Sequence, residues 1–203
     1  DMTSSRGLGD VYKRQQLNTL NGKTTVAVDL TNVTALAGSS LSDLETLASA
    51  INANEFSNDS GLTTIAVTDT TIDATTLAST IDSYDGINGG GTTDMTLASG
   101  ATINVDAGEI TAMLADESLG RLTIADQAIT VNSAATISVD TANLLKATTT
   151  GVVTASIATT EAVSELNTLT GTTGAYTIVV ASGDATSTTC LLYTSPSPRD
   201  DVI

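Results

Sequence analysis

A recurrence constrains this chain more than any other feature. Leu17-Asn18-Thr19-Leu20-Asn21-Gly22 returns as Leu166-Asn167-Thr168-Leu169-Thr170-Gly171, and a Thr follows each copy within two residues. The offset of 149 residues is five units of roughly 30. Between the copies the same order returns in degenerate form: a Thr-rich alternating run, a polar turn, then a short Leu/Ala-rich stretch closed by glycine. A unit this small cannot bury its own apolar face, so it must be laid against its neighbours.

The alternating runs are Thr24–Asp29, Thr63–Asp69, Met95–Ala98 with Thr102–Asp106, Leu122–Asp126 with Thr136–Asp140, Val152–Ile157 and Tyr176–Val180. β-Branched residues at period two predict short strands there. Helices are expected over Ser40–Ala53, Ala74–Ser83, Ala107–Glu117, Thr141–Thr148 and Thr160–Thr170. In the first of these, Leu41, Leu44, Leu47, Ala48 and Ile51 fall on one face. Gly22, Gly61, Gly86, Gly120, Gly151 and Gly171 read as helix-terminating glycines. Each helix is too short to persist alone in water and must be held by stacking. Glu55–Gly61 and Gly89–Gly91 read as inserted loops, with 82–91 the most flexible stretch. The expected fold is therefore α/β: a repeat solenoid of short stacked parallel strands and short helices, about 30 residues per coil, over residues 17–185. The helical stretches disfavour a β-sandwich. The lack of continuous hydrophobic strands disfavours a doubly wound sheet.

Composition narrows function. The chain holds 7 Lys+Arg against 23 Asp+Glu, a net charge of −16, and no His or Trp. Such a field disfavours nucleic acid and anionic membrane surfaces as partners. Without His, serine triads and most zinc hydrolases lose their central residue.

The odd residues cluster at the ends. Cys190, Pro196 and Pro198 lie in the last fourteen positions, and Arg6, Lys13, Arg14 and Arg199 lie in the two tails. Ser5–Gln15 (SRGLGDVYKRQ) and Cys190–Asp200 (CLLYTSPSPRD) resemble translated sequencing-library adapters, the second being the reverse complement of the first. The resemblance implies that 1–15 and 190–203 are non-native and 16–189 is a repeat fragment of a longer protein. The fragment then retains Lys23, Arg121 and Lys146 as bases, Phe56, Tyr84 and Tyr176 as aromatics, and no cysteine. The two tails are expected to pack poorly.

Five strands end in aspartate: Asp29, Asp69, Asp106, Asp126 and Asp140. Capping of turns and helices is the preferred reading; a ladder of Ca²⁺ ligands along one edge is the alternative. Asp82, Asp85 and Asn88 around Gly86 lack the spacing of a calcium loop. The pairs Thr24-Thr25, Thr63-Thr64 and Thr92-Thr93 are better explained by strand propensity than by an ice-ordering array. Glu109 with Asp116/Glu117, and Glu161 with Glu165, have the spacing of solvated helix faces rather than of a glycosidase pair. Residues 16–189 contain no phosphate loop, serine elbow or thiol. No catalytic, cofactor-binding or metal-binding residue is assigned, and no enzyme is expected; Ca²⁺ stays open as a ligand.

Leu17–Gly22 with Leu166–Gly171, Ile65–Ile72 (IAVTDTTI) and Val33–Leu47 (VTALAGSSLSDLETL) together resemble the degenerate Ala/Thr/Asp-rich repeats of very large secreted or cell-surface proteins of marine bacteria, cyanobacteria in particular. The resemblance implies an adhesin-like stalk outside the cell, partnered by adjacent repeats of its own chain, with no membrane insertion in this segment. The alternative is a calcium- or glycan-binding repeat module, for which Tyr84 and Tyr176 would have to supply the sugar platforms.

Overall fold

The computed structural model describes residues 10–12, 14–58, 61–87, 92–171 and 174–180. The expectations for Asn88, Gly89–Gly91 and Tyr193 lie outside the described residues. In chain order the elements are β1 (Asp10–Tyr12), α1 (Arg14–Asn21), β2 (Val28–Asp29), β3 (Val33–Ser39), α2 (Leu41–Asn52), β4 (Phe56–Ser57), β5 (Thr64–Val67), β6 (Thr71–Asp73), α3 (Ala74–Ile87), β7 (Asp94–Thr96), β8 (Thr102–Val105), α4 (Ile110–Ser118), β9 (Leu122–Thr123), β10 (Ala128–Val131), β11 (Thr136–Ile137), α5 (Val139–Thr148), β12 (Val153–Ile157), α6 (Val163–Leu166) and β13 (Ala175–Thr177).

The chain is α/β, with parallel strands in stacked sheets and several short helices. One sheet has the order β1-β3-β5-β7-β9, the second β11-β12-β10-β8-β6 with β13 beside β12, and β2 pairs with β4. The chain alternates between the two larger sheets, β5 then β6, β7 then β8, β9 then β10. A parallel partner can be reached only by a crossover. Here the crossovers from β5 to β7 and from β7 to β9 each pass through a strand of the second sheet and carry α3 and α4, while that from β3 to β5 carries α2 and β4, the partner of β2.

Register explains why the apolar residues sit where they do. Leu36, Ile65, Met95 and Leu122 oppose one another across the first sheet. Ile72, Ile103, Ile129 and Val153 do so across the second. All eight are at most 2% exposed, so the two sheets meet over stacked aliphatic columns. Their sequence neighbours point outward, as the pleat requires. Thr64, Thr71, Asn104 and Thr154 are exposed. Little aromatic volume is needed when columns of Ile, Leu and Val stack at strand spacing.

Helix α2 buries the five residues its periodicity predicted, Leu41, Leu44, Leu47, Ala48 and Ile51. Ser40 caps it by accepting from the Asp43 N–H at 3.3 Å. Tyr84 on α3 is 1% exposed, and its hydroxyl donates to the Leu44 carbonyl at 2.9 Å. It ties α3 to α2 and is closed to any external ligand.

Several local expectations are corrected. Strand β3 escapes period-two reading because Val33, Leu36 and Ser39 are the buried positions, three apart. Its register shifts between Leu36 and Ser39, where Gly38 takes φ +61°; such a bulge breaks alternation. Strands β4, β6 and β10 are additional to the expected runs, β4 falling within the expected loop Glu55–Gly61. The N-terminal tail, expected to pack poorly, supplies Asp10–Tyr12 as β1 and Arg14-Gln15 as the start of α1. Parallel pairing is made by backbone groups, so the free edge of β3 accepts Val11 and Tyr12 whatever the origin of the segment.

Among the glycines, Gly120 does end α4 in the left-handed conformation, φ +72°. Its N–H donates to the Glu117 carbonyl and that of Arg121 to Asp116, a Schellman pair. Helix α2 ends the same way on Asn54, φ +61°, instead of glycine. Gly86 lies inside α3, and Gly61 follows β4 rather than a helix. Gly151 serves close approach: a Cβ there would sit 2.3 Å from the Gln127 carbonyl oxygen.

Candidate functional site

The five strand-terminal aspartates are brought to no common centre, and each has an identifiable local task. Asp29 accepts from the Thr31 N–H at 2.9 Å, the Thr31 hydroxyl at 2.6 Å and the Asn58 amide at 3.0 Å. The Thr31 hydroxyl, then Asn58, hold its carboxyl below the ordinary value. Asp126 accepts from the Ser99 hydroxyl and the Gly100 N–H, and these bonds likewise depress its pKa. Asp69 caps a helix, but not the one that follows it in sequence. It accepts from the Leu41 N–H of α2, 28 residues earlier, at 2.8 Å.

Asp106 and Asp140 do not act as the expected N-caps. Asp106 accepts from the Asn132 amide at 2.8 Å, while Asp140 lies in the first turn of α5, whose cap is Ser138. The cap of α3 is Asp73, which accepts from the Thr76 N–H at 3.0 Å and was missed. A Thr three residues after an Asp at the end of an alternating run was the available signal.

Many of these bonds join residues 26 to 34 positions apart. Asn58 to Asp29 and Thr123 to Asp94 span 29 residues each, Asn132 to Asp106 spans 26, and Asn21 to Glu55 and Thr75 to Glu109 span 34. Each thus joins an Asp or Glu acceptor to a Thr or Asn some 26 to 34 residues away in sequence. A charged acceptor makes such a bond stronger than a neutral one.

The carboxylate pairs weighed for catalysis have the same character. Glu109 accepts from the Asp106 N–H at 3.0 Å and from the Thr75 hydroxyl. Glu161 reaches the Val139 N–H at 3.4 Å, and Glu165 accepts from the Ala162 N–H at 2.9 Å. Asp116 faces Arg121 Nη1 at 3.6 Å, while Arg121 Nη2 lies 2.6 Å from Asp85. Burial pushes the Asp116 carboxyl up; Arg121 opposes this, and Asp82 and Asp85 add to it.

The threonine pairs form no flat array. The Thr63 hydroxyl donates to the Thr34 carbonyl at 3.3 Å, and buried Thr93 donates to the Leu62 carbonyl at 3.0 Å. Tyr84 is buried as described, and Tyr176 is half-buried with its hydroxyl enclosed and burial raising its pKa.

The described residues line several recesses, among them a polar one of about 390 Å³ at Asn21, Thr24, Thr25, Val26, Asn54 and Glu55. Another polar one of about 240 Å³ runs along the outer face of the second sheet, lined by Asp73, Asn104, Asp106, Glu109, Thr130 and Asn132. Its Asp106 and Glu109 already accept hydrogen bonds, and Asp73 caps α3. Among the described residues, no group of three or more His, Cys, Asp or Glu is arranged to hold a metal ion. An apolar slot of about 200 Å³ lies between α3 and α4, with Leu77, Ile81, Met113 and Leu122 in its walls and Glu109 and Asp116 at its rim. Among the described residues, no helix is long and apolar enough to cross a membrane. No protein-family model, curated protein or solved structure matches this chain.

Proposed function

We propose that this chain is a solenoid of about 30 residues per coil and serves as a non-enzymatic structural or adhesive repeat segment of a large bacterial extracellular or cell-surface protein. The observation that carries the reading is the register. Thr64 opposes Asp94, Thr71 opposes Thr102, and Ala128 opposes Thr102, so one unit is added per strand step. The carboxylates support it, because they are spent as acceptors between adjacent turns rather than gathered at a centre. Each added unit lengthens such a body while reusing the same two aliphatic columns, and a net charge of −16 keeps neighbouring copies apart. Its partners are then the adjacent repeats of the same chain.

Small-angle scattering of the chain, and of two copies of 16–180 joined in tandem, tests this. The expected result is a maximum dimension that grows with the second copy at constant cross-sectional radius. Two compact bodies on a flexible join would overturn the solenoid. Micromolar binding on a glycan array, or turnover on a panel of hydrolase substrates, would overturn the non-enzymatic stalk.

A further inference from the structure

We propose that the slot between α3 and α4 binds a small organic cation with a short apolar tail, an alkylammonium in its simplest form, the tail against Leu77, Ile81, Met113 and Leu122 and the ammonium at Asp116. This goes beyond the stalk reading and does not depend on it.

The slot exists because small residues line both helices where they face each other: Ala74 and Ala78 on α3, Ala112 on α4 and Gly108 just before it. Between α2 and α3, by contrast, Tyr84 is buried with its hydroxyl on the Leu44 carbonyl. About 200 Å³ accommodates roughly six or seven methylene-sized groups, taking the ~30 Å³ of a liquid water as the unit.

The rim fixes the charge of the occupant. Asp116 is 13% exposed in its side chain and has Asp82 and Asp85 as acidic neighbours. Arg121 is the base beside them, and it is engaged more closely by Asp85, at 2.6 Å, than by Asp116, at 3.6 Å. An anion would be repelled here, and so would a second copy of a chain carrying −16. A neutral apolar molecule would strip water from Asp116 and return no bond. An ammonium on a hydrocarbon tail satisfies the carboxylate and fills the apolar walls together. The Asp116 carboxyl is pushed up first by its burial in this half-closed site, against Arg121 and with Asp82 and Asp85 adding to it.

The full chain, ¹⁵N-labelled, is titrated at low salt with ethyl-, butyl- and hexylammonium chloride and, in parallel, with 1-hexanol and hexanoate. The expected result is saturable shifts confined to α3, α4 and β9, with affinity rising about fourfold per added methylene as the slot fills. Hexanol should bind at least about tenfold more weakly and hexanoate not at all, and Asp116→Asn should cost hexylammonium about tenfold. Ala112→Leu, at an exposed position in the slot wall, should abolish binding while leaving the amide spectrum outside the slot folded. Shifts spread over the whole acidic surface, equal affinity for ethyl- and hexylammonium, or hexanol binding as tightly as hexylammonium would each overturn the proposal. The ligand series on the unmodified chain decides it even if a variant fails to fold.

Discussion

Replacing Ile103 by Ala tests whether the stacked columns hold the sheets together. Ile103 is fully buried, with Ile72 opposite it on one side and Ile129 on the other. The change removes three carbons, and at ~0.8 kcal/mol per buried methylene the lost transfer energy is about 2.4 kcal/mol. The strands flanking the void are held about 4.8 Å apart by their hydrogen-bond ladders and cannot close over it. A residual cavity of several tens of Å³ adds roughly 1–2 kcal/mol at ~24 cal/mol per Å³. The expected cost is therefore about 3.5–4.5 kcal/mol, inside the ~2–5 kcal/mol range for Ile→Ala in cores. Urea unfolding followed by far-UV circular dichroism measures it, with an unchanged denaturant slope showing that the two end states are the same. Asn104→Ala, one residue on and facing outward, should stay within about 0.5 kcal/mol. A cost below about 1 kcal/mol for Ile103→Ala, or an equal cost for Asn104→Ala, would refute the column as the main source of cohesion.

Gly151→Ala should destabilise by about 1–3 kcal/mol, since its Cβ would sit 2.3 Å from the Gln127 oxygen and 2.6 Å from the carbonyl carbon. Gly108→Ala, with nothing within 4 Å, should be near neutral in the same thermal melts; equal effects would show that the close approach is unimportant. Asp69→Ala removes the acceptor of the Leu41 N–H and should cost about 0.5–2 kcal/mol, with faster amide exchange in the first turn of α2. Unchanged exchange there would dismiss the cap.

For pH, Asp29 and Asp126 are depressed below 3.8, so their contribution is present above that value and lost as pH falls through their folded pKa values. Asp116 is raised and works oppositely, favouring the folded state in acid and losing that contribution as pH rises through its folded pKa. Asp29→Asn with Asp126→Asn should flatten the acid limb of stability, and Asp116→Asn should steepen it; reversed signs in urea titrations between about pH 5 and 2 would contradict both assignments. Millimolar Ca²⁺ and Mg²⁺ should raise Tm alike by screening carboxylates that lie within the Debye length of about 10 Å at 0.1 M salt. A submillimolar shift specific to calcium, lost in Asp106→Ala, would mean that an oxygen cage had been read as hydrogen bonding to Asn132.

What the sequence by itself determined is local and periodic. The face of α2 that is buried was legible in Leu41, Leu44, Leu47, Ala48 and Ile51, because 3.6-residue periodicity is written into the chain whatever packs on it. The strand at Val152–Ile157 and the glycine ending α4 at Gly120 were legible for the same reason, as a side-chain period and a backbone conformation that few residues adopt. What only the tertiary structure decided is which residues meet. Nothing adjacent to Asp69 marks it as the cap of a helix 28 residues earlier, and nothing near Gly151 marks the Gln127 carbonyl that excludes a side chain there. Strand β3 hid behind a three-residue spacing because its bulge is set by the register with β5. The slot between α3 and α4 is written in neither helix, since it is the volume that small residues on both leave when they face each other. A sequence carries its own periodicity, but contacts between neighbouring strands and helices depend on register, and register is fixed only when the aliphatic columns come together.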